Sequence, residues 1–225
     1  MRESFVRYQD LISISEVDNR TKMQKFASIP SNGTKVIGRY VTDLNELDYS
    51  PIIKVRKKVL DKLEEADLLL KNVNPNYQLM VVYGYRAMEK QEKYFNEEIK
   101  KYKYSFDNKL ELYEFVHEKI AVPEVSGHPT GGAVDVVIYD MKKEKIIDFG
   151  TDVHDFNDAK CYVYYSKIRE YEHNNRILLR KIMMKVGFAP YDGEWWHFSY
   201  GDKEWAYYYN KKKYLYPQVS REDVY

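Results

Sequence analysis

The stretch Ser126-Gly127-His128-Pro129-Thr130-Gly131-Gly132-Ala133-Val134-Asp135-Val136-Val137-Ile138-Tyr139 decides how this chain is read. Residues 133–139 are apolar at nearly every position, and a strand with two apolar faces belongs in the middle of a sheet. Residues 122–132 form a loop by their proline and glycine content. The chain therefore carries a histidine, His128, in a loop and a carboxylate, Asp135, in the central strand that follows. Gly131 and Gly132 permit the turn between them, because glycine reaches backbone angles closed to other residues.

Working upstream, Tyr77-Gln78-Leu79-Met80-Val81-Val82-Tyr83 reads as a second buried strand, ended by Gly84-Tyr85-Arg86. Before it, Ser50 suits a helix N-cap and Pro51 the first helical position. Ile52, Val55, Val59, Leu63, Ala66 and Leu70 then repeat at three and four, which predicts one amphipathic helix up to Asn74-Pro75-Asn76. Helical spacing also predicts helices over 87–102 and 109–119. Residues 1–50 are weakly periodic, with short strands at 11–14 and 36–40 and a turn at 31–34, and read as an N-terminal wrap. Downstream, 140–143 is a turn and 144–148 a hairpin partner. A helical region closes with Asn175 as cap, runs to Val186 and stops at Gly187. Residues 194–200 form the last strand, 203–210 a short helix, and 208–225 a peripheral tail. Without repeats or linkers, residues 1–225 read as one α+β domain, a central antiparallel sheet flanked by helices.

Composition excludes several function classes. A chain of 225 residues can bury a sizeable core. Its net charge of +1 sets up no field toward nucleic acid or an anionic membrane, so neither is expected as a partner. Cys161 is the only cysteine, which rules out an internal disulfide. Residues 1–7 lack the apolar segment of a secretory signal, and no run approaches the roughly 18 apolar residues of a membrane span. A cytoplasmic location is expected, and nothing in the sequence sets an oligomeric state. The 23 tyrosines suit a substrate cleft or reflect genome base composition.

A second dense patch, Gly193-Glu194-Trp195-Trp196-His197-Phe198, supplies further chemistry. If the patches meet, His128, Asp135 and His197 form a two-histidine, one-carboxylate set. Catalytic zinc uses such sets and leaves its fourth position to water. Glu194, close to the ion but outside its ligands, can take a proton and return it to a leaving amine. Arg86, at a strand end, can reach into a cleft and stabilise an oxyanion. Plainer readings stand beside these. His-x6-Asp spacing arises in loops by chance, His197 suits a hydrogen-bonded core position, Glu194 a turn cap, and Arg86 a surface ion pair. His117 and His173, in polar helical contexts, read as surface residues.

Taken together, Ser126-x-His128-x-x-Gly131-x-Ala133-x-Asp135 and Glu194-x-Trp196-His197 resemble the zinc D,D-peptidases of the D-alanyl-D-alanine dipeptidase and carboxypeptidase superfamily, whose fold is shared with Hedgehog. Glu194 to Phe198 and Gly201-Asp202-x-x-Trp205-Ala206 look most like the dipeptidase branch. Gly84-Tyr85-Arg86, Gly150-Thr151 before Asp155-Phe156, and the helix from Asn175-Arg176 to Gly187-Phe188 fall in the same order. The resemblance covers roughly residues 50–207. It implies one zinc ion per chain on His128, Asp135 and His197, Glu194 as catalytic acid/base, Arg86 as the transition-state arginine, and Ser126 beside a small peptide substrate. The segment after Gly-Thr departs from the dipeptidase pattern. An acidic pair is usual there, one member near the substrate amine, but this chain has Asp152-Val153-His154-Asp155, so Asp155 is the remaining candidate for that contact. The resemblance implies hydrolysis of D-alanyl-D-alanine or a similar dipeptide. A carboxypeptidase or endopeptidase acting on longer peptidoglycan peptides, and a zinc-binding interaction module without catalysis, are the alternatives.

Overall fold

A computed structural model describes residues 5–19, 21, 24–41, 51–156 and 158–225. In chain order the elements are α1 (Tyr8–Ile12), β1 (Phe26–Ser28), β2 (Ile37–Gly38), β3 (Lys54–Arg56), α2 (Lys57–Val73), β4 (Tyr77–Tyr83), α3 (Met88–Tyr102), α4 (Lys109–His117), β5 (Ala133–Asp140), β6 (Lys145–Ile146), α5 (Glu170–Lys185), β7 (Ala189–Pro190), β8 (His197–Ser199) and α6 (Lys203–Tyr208). The expected α+β architecture is present. The main sheet runs β2-β4-β5-β8-β7, with β6 also paired to β5. It is mixed rather than wholly antiparallel, because the short edge strand β2 joins β4 in parallel.

β4 and β5 carry the centre of the core. From Leu79 to Val82 and from Val134 to Ile138 every apolar side chain is buried. α2 buries Val59, Leu63, Ala66 and Leu70 on one face, the predicted stripe. The buried carboxylate of Asp67 on that face accepts the Leu79 amide at 2.8 Å, tying helix to sheet.

The start of α2 differs from the prediction. Residues 54–56 are a strand, and the helix begins at Lys57; Ser50, read as its cap, lies outside the described residues. A long-range ladder overrides the local signal: Ala27 opposes Val55 across β1 and β3. The buried Arg56 at the end of β3 donates Nε to Thr130 O (2.7 Å) and Nη1 to Gln24 O (2.7 Å). Residues 8–12 form a helix where a strand was expected at 11–14, because Tyr8 and Leu11 pack with Phe95, Leu112 and Val116 of α3 and α4. α5 begins at Glu170 rather than at an Asn175 cap, with the Glu172 carboxylate accepting the Arg169 amide at 2.7 Å.

Gly131 has φ of +72°, and a β-carbon there would lie 2.3 Å from the Phe26 ring. Gly131→Ala is expected to destabilise the fold by at least the roughly 1–2 kcal/mol of a left-handed non-glycine residue. Urea unfolding measures this.

Among the described residues no helix is long and apolar enough to cross a membrane.

Candidate metal centre

Strand register builds the site. In β5 and β8, Asp135 stands directly opposite His197. On the other side of β5 a register shift between Val81 and Tyr83 sets Tyr83 opposite Asp135. Directly opposed residues share a sheet face with β-carbons about 4.5–5.5 Å apart. Tyr83, Asp135 and His197 thus form one row across three strands. His128 arrives from the loop before β5, which Arg56 grips from below through Thr130 and, by its own amide, through Gly131 O at 3.0 Å.

His128, Asp135 and His197 are all buried, and one ligand atom from each lies within 4.8 Å of the others. Their surroundings suit a cation. His128 Nδ1 is 2.8 Å from the Gly84 carbonyl, which can only accept, so Nδ1 donates and Nε2 is left for a ligand role. Nε2 lies 3.6 Å from Asp135 Oδ1. Burial pushes the His128 imidazole below its ordinary range, toward the neutral form that metals take. Asp135 Oδ1 is also 3.0 Å from His197 Nδ1. Burial opposes the Asp135 charge, but His128, His154 and His197 outweigh it and hold the carboxyl well below its usual range. His197 is pushed the other way: burial opposes its proton, but Glu204 and Asp135 more than offset that. A cation on Nδ1 would displace this proton.

Glu204 of α6 was not foreseen. Its Oε2 lies 3.3 Å from His197 Nε2 and accepts the Ser199 hydroxyl at 3.0 Å. An outer carboxylate on a ligating histidine sets its tautomer and ring orientation. The lone signal in the sequence was an acid one position past Asp202-Lys203, invisible until α6 folds back over β8.

Above this row lies a cavity of about 390 Å³, within the range of about 300–1,000 Å³ common for small-molecule sites. Ser126, His128, Asp135, Glu194, His197 and Arg86 all line it. Glu194 is aimed by a tight turn, its amide donating to Tyr191 O at 3.2 Å and its carbonyl accepting the His197 amide at 3.0 Å. The turn is anchored by Trp195, stacked on Phe149 at 4.1 Å with its Nε1 donating to Thr151 Oγ1 at 2.9 Å. Burial pushes the Glu194 carboxyl up to about 7; His197 and His154 oppose the rise and Asp135 adds to it. Arg86 extends over the Tyr83 ring at 4.6 Å and donates Nη1 to Gln91 Oε1 at 2.8 Å. Its Nε is buried and has no hydrogen-bond partner among the described residues. Burial opposes its charge, yet Tyr83 and Asp135 keep the guanidinium firmly protonated.

Asp155 is placed elsewhere, in a separate groove with Asp148, Asp152 and Trp195. His154 lines the cavity instead. His117, read as a surface residue, is buried and also lines the cavity, with Nδ1 accepting the Val122 amide at 3.2 Å. The tail bonds to the site loop: Gln218 Nε2 donates to Ser126 O at 3.0 Å and the Val219 amide to Pro129 O at 3.0 Å.

Comparison with known proteins agrees with the motifs. A family described as D-ala-D-ala dipeptidase, Peptidase_M15, matches residues 33–219. A D-alanyl-D-alanine dipeptidase of Synechocystis sp. is 28% identical over 187 residues, 72% of this chain and 75% of that protein. One from Enterococcus faecalis is 33% identical over 82 residues, 36% of this chain and 40% of that protein. Among solved structures, a mutant of the vancomycin resistance D,D-pentapeptidase VanY in complex with Zn(II) aligns over 90% of this chain and 96% of its own, at 20% identity and a TM-score of 0.41.

Proposed function

We propose, because this chain belongs to the D-ala-D-ala dipeptidase family, that it is a zinc-dependent dipeptidase hydrolysing D-alanyl-D-alanine or a similarly small D,D-dipeptide. The observation that carries this reading is the convergence of three buried ligand atoms within 4.8 Å beneath a cavity that Glu194 and Arg86 also line.

The donor set fits zinc: two imidazole nitrogens and one carboxylate oxygen, which among the described residues is fewer than the four protein ligands of a closed structural site. His128 through Nε2, Asp135 through Oδ1 and His197 through Nδ1 would hold it. When bound, the ion supplies Lewis acidity for amide hydrolysis. The chain's own groups do the rest. Glu194, whose carboxyl is raised to about 7, can hold or release a proton near neutral pH. It takes the proton of the attacking water and delivers it to the leaving amine. Arg86 brings a fixed positive charge with a spare Nε donor into the same cavity. There it would stabilise the oxygen on which negative charge develops, where a prealigned donor is worth most. Ser126, buried in the cavity wall, would offer its hydroxyl to the substrate.

Purified protein is expected to carry about one zinc per chain and to release free D-alanine from D-alanyl-D-alanine, with less product from a pentapeptide ending in the same pair. Faster cleavage of the pentapeptide would replace this reading with the carboxypeptidase one. Zinc without hydrolysis of either peptide would leave the interaction module.

A further inference from the structure

His154 occupies the loop after Gly150-Thr151, and its ring stands in the cavity. Its Nε2 lies 2.9 Å from Asp135 Oδ2. The other oxygen of that carboxylate, Oδ1, is the one shared with His128 and His197. An ionised carboxylate only accepts, so the Nε2 of His154 must be the donor. The two oxygens therefore have divided tasks: Oδ2 is held from outside, and Oδ1 faces the ligand cluster.

The loop is built to keep this contact. His154 has φ of +64°, in the left-handed region that a non-glycine residue occupies only when its surroundings over-determine it. Three aromatic rings surround the imidazole: Trp196 edge-on at 5.7 Å, Tyr83 edge-on at 6.0 Å and Phe156 stacked at 6.5 Å. The loop's root is fixed by the fully buried Arg176, which donates Nε to Phe149 O at 2.7 Å and Nη2 to Thr151 Oγ1 at 3.2 Å.

The geometry points to His154 as a positioning residue for the metal centre. It clamps Asp135 Oδ2 so that the carboxylate offers Oδ1 alone, in one orientation, to the ion. It holds a ligand and need not touch substrate. This role rests on the metal reading proposed above and adds to it an outer partner for Asp135, comparable to Gly84 O for His128 and Glu204 for His197. Loss of such partners typically weakens metal binding about 10–100-fold.

The test is zinc affinity, measured by competition with a chromophoric chelator, in wild type, His154→Gly and His154→Gln. Glycine is at ease at this positive φ, so His154→Gly removes the donor without adding strain. Its metal-free form is expected to fold but to melt below wild type, because it loses the ring contacts and the bond to Asp135, while the zinc Kd of the folded protein rises about tenfold or more. Glutamine returns an N–H at similar reach and should recover much of that loss. A His154→Gly protein with wild-type Kd overturns the role while leaving the metal centre standing. Equal loss in both variants also overturns it, since the donor would then not be what matters. A wild-type protein that binds no zinc removes the metal centre itself, and this role with it.

Discussion

Glu194→Gln lowers kcat on D-alanyl-D-alanine about 10²–10⁴-fold, the usual span for a lost general acid/base, while bound zinc stays at the wild-type level. The two measurements must separate because Glu194 lines the cavity without being one of the clustered ligands. Its titration gives a second signature. Burial raises the carboxyl to about 7 from an ordinary 4.5, and a base must first lose its proton. In wild type kcat/KM should therefore rise tenfold per pH unit along an acid limb and then level. A neighbouring cation favours the carboxylate, so that limb falls at or below about pH 7. Metal-free stability runs in the opposite direction. The folded state holds this proton more tightly than the unfolded chain, so the part of the stability linked to Glu194 is fully present below about 4.5 and is lost as pH rises through about 7. Glutamine does not titrate. Metal-free Glu194→Gln should match wild type at pH 4 and exceed it at pH 8 in thermal melts. Unchanged kcat would end the mechanistic assignment.

Asp135→Ala is expected to abolish zinc binding at micromolar metal, a loss beyond the roughly 100-fold that removal of an outer partner can cause. The reason is geometric. Oδ1 lies within reach of both histidines, 3.6 Å from His128 Nε2 and 3.0 Å from His197 Nδ1, and Oδ2 anchors His154. Alanine removes a ligand and unties the nitrogen of His154 at once. Activity should fall to background and not return with added zinc. A variant that keeps stoichiometric zinc would show that the ion sits on other groups. Gly131→Ala serves as the contrast, since it strains the loop carrying His128 without touching a donor, and its main cost should appear in stability.

Much of this site was legible because its information is local. β4 was read at its observed bounds, and β5 to within one residue, because each is a continuous apolar run that only a central strand can bury. The stop of α5 before Gly187 follows from a glycine at φ +92°. The motifs His128-x6-Asp135 and Glu194-x-x-His197, with Arg86 after β4, pointed to metal chemistry only in combination and through their resemblance to the D,D-peptidases, since each spacing taken singly left a plainer reading open.

The remainder depended on pairs far apart in the chain. The strand at 54–56 forms because β1 offers it a ladder, and no local propensity announces that partner. The register setting Asp135 against His197, and the shift bringing Tyr83 into the same row, are choices among alternatives that differ by one residue and would each turn a side chain to the other face. The same holds for the outer partners. Glu204 reaches His197 only because α6 folds back over β8, and His154 reaches Asp135 only because Arg176 and Thr151 hold its loop. Residue identity determined which atoms were available for metal and proton chemistry. Packing over long sequence separations decided which of them meet, because distances of a few ångströms across three strands are set by the whole sheet at once.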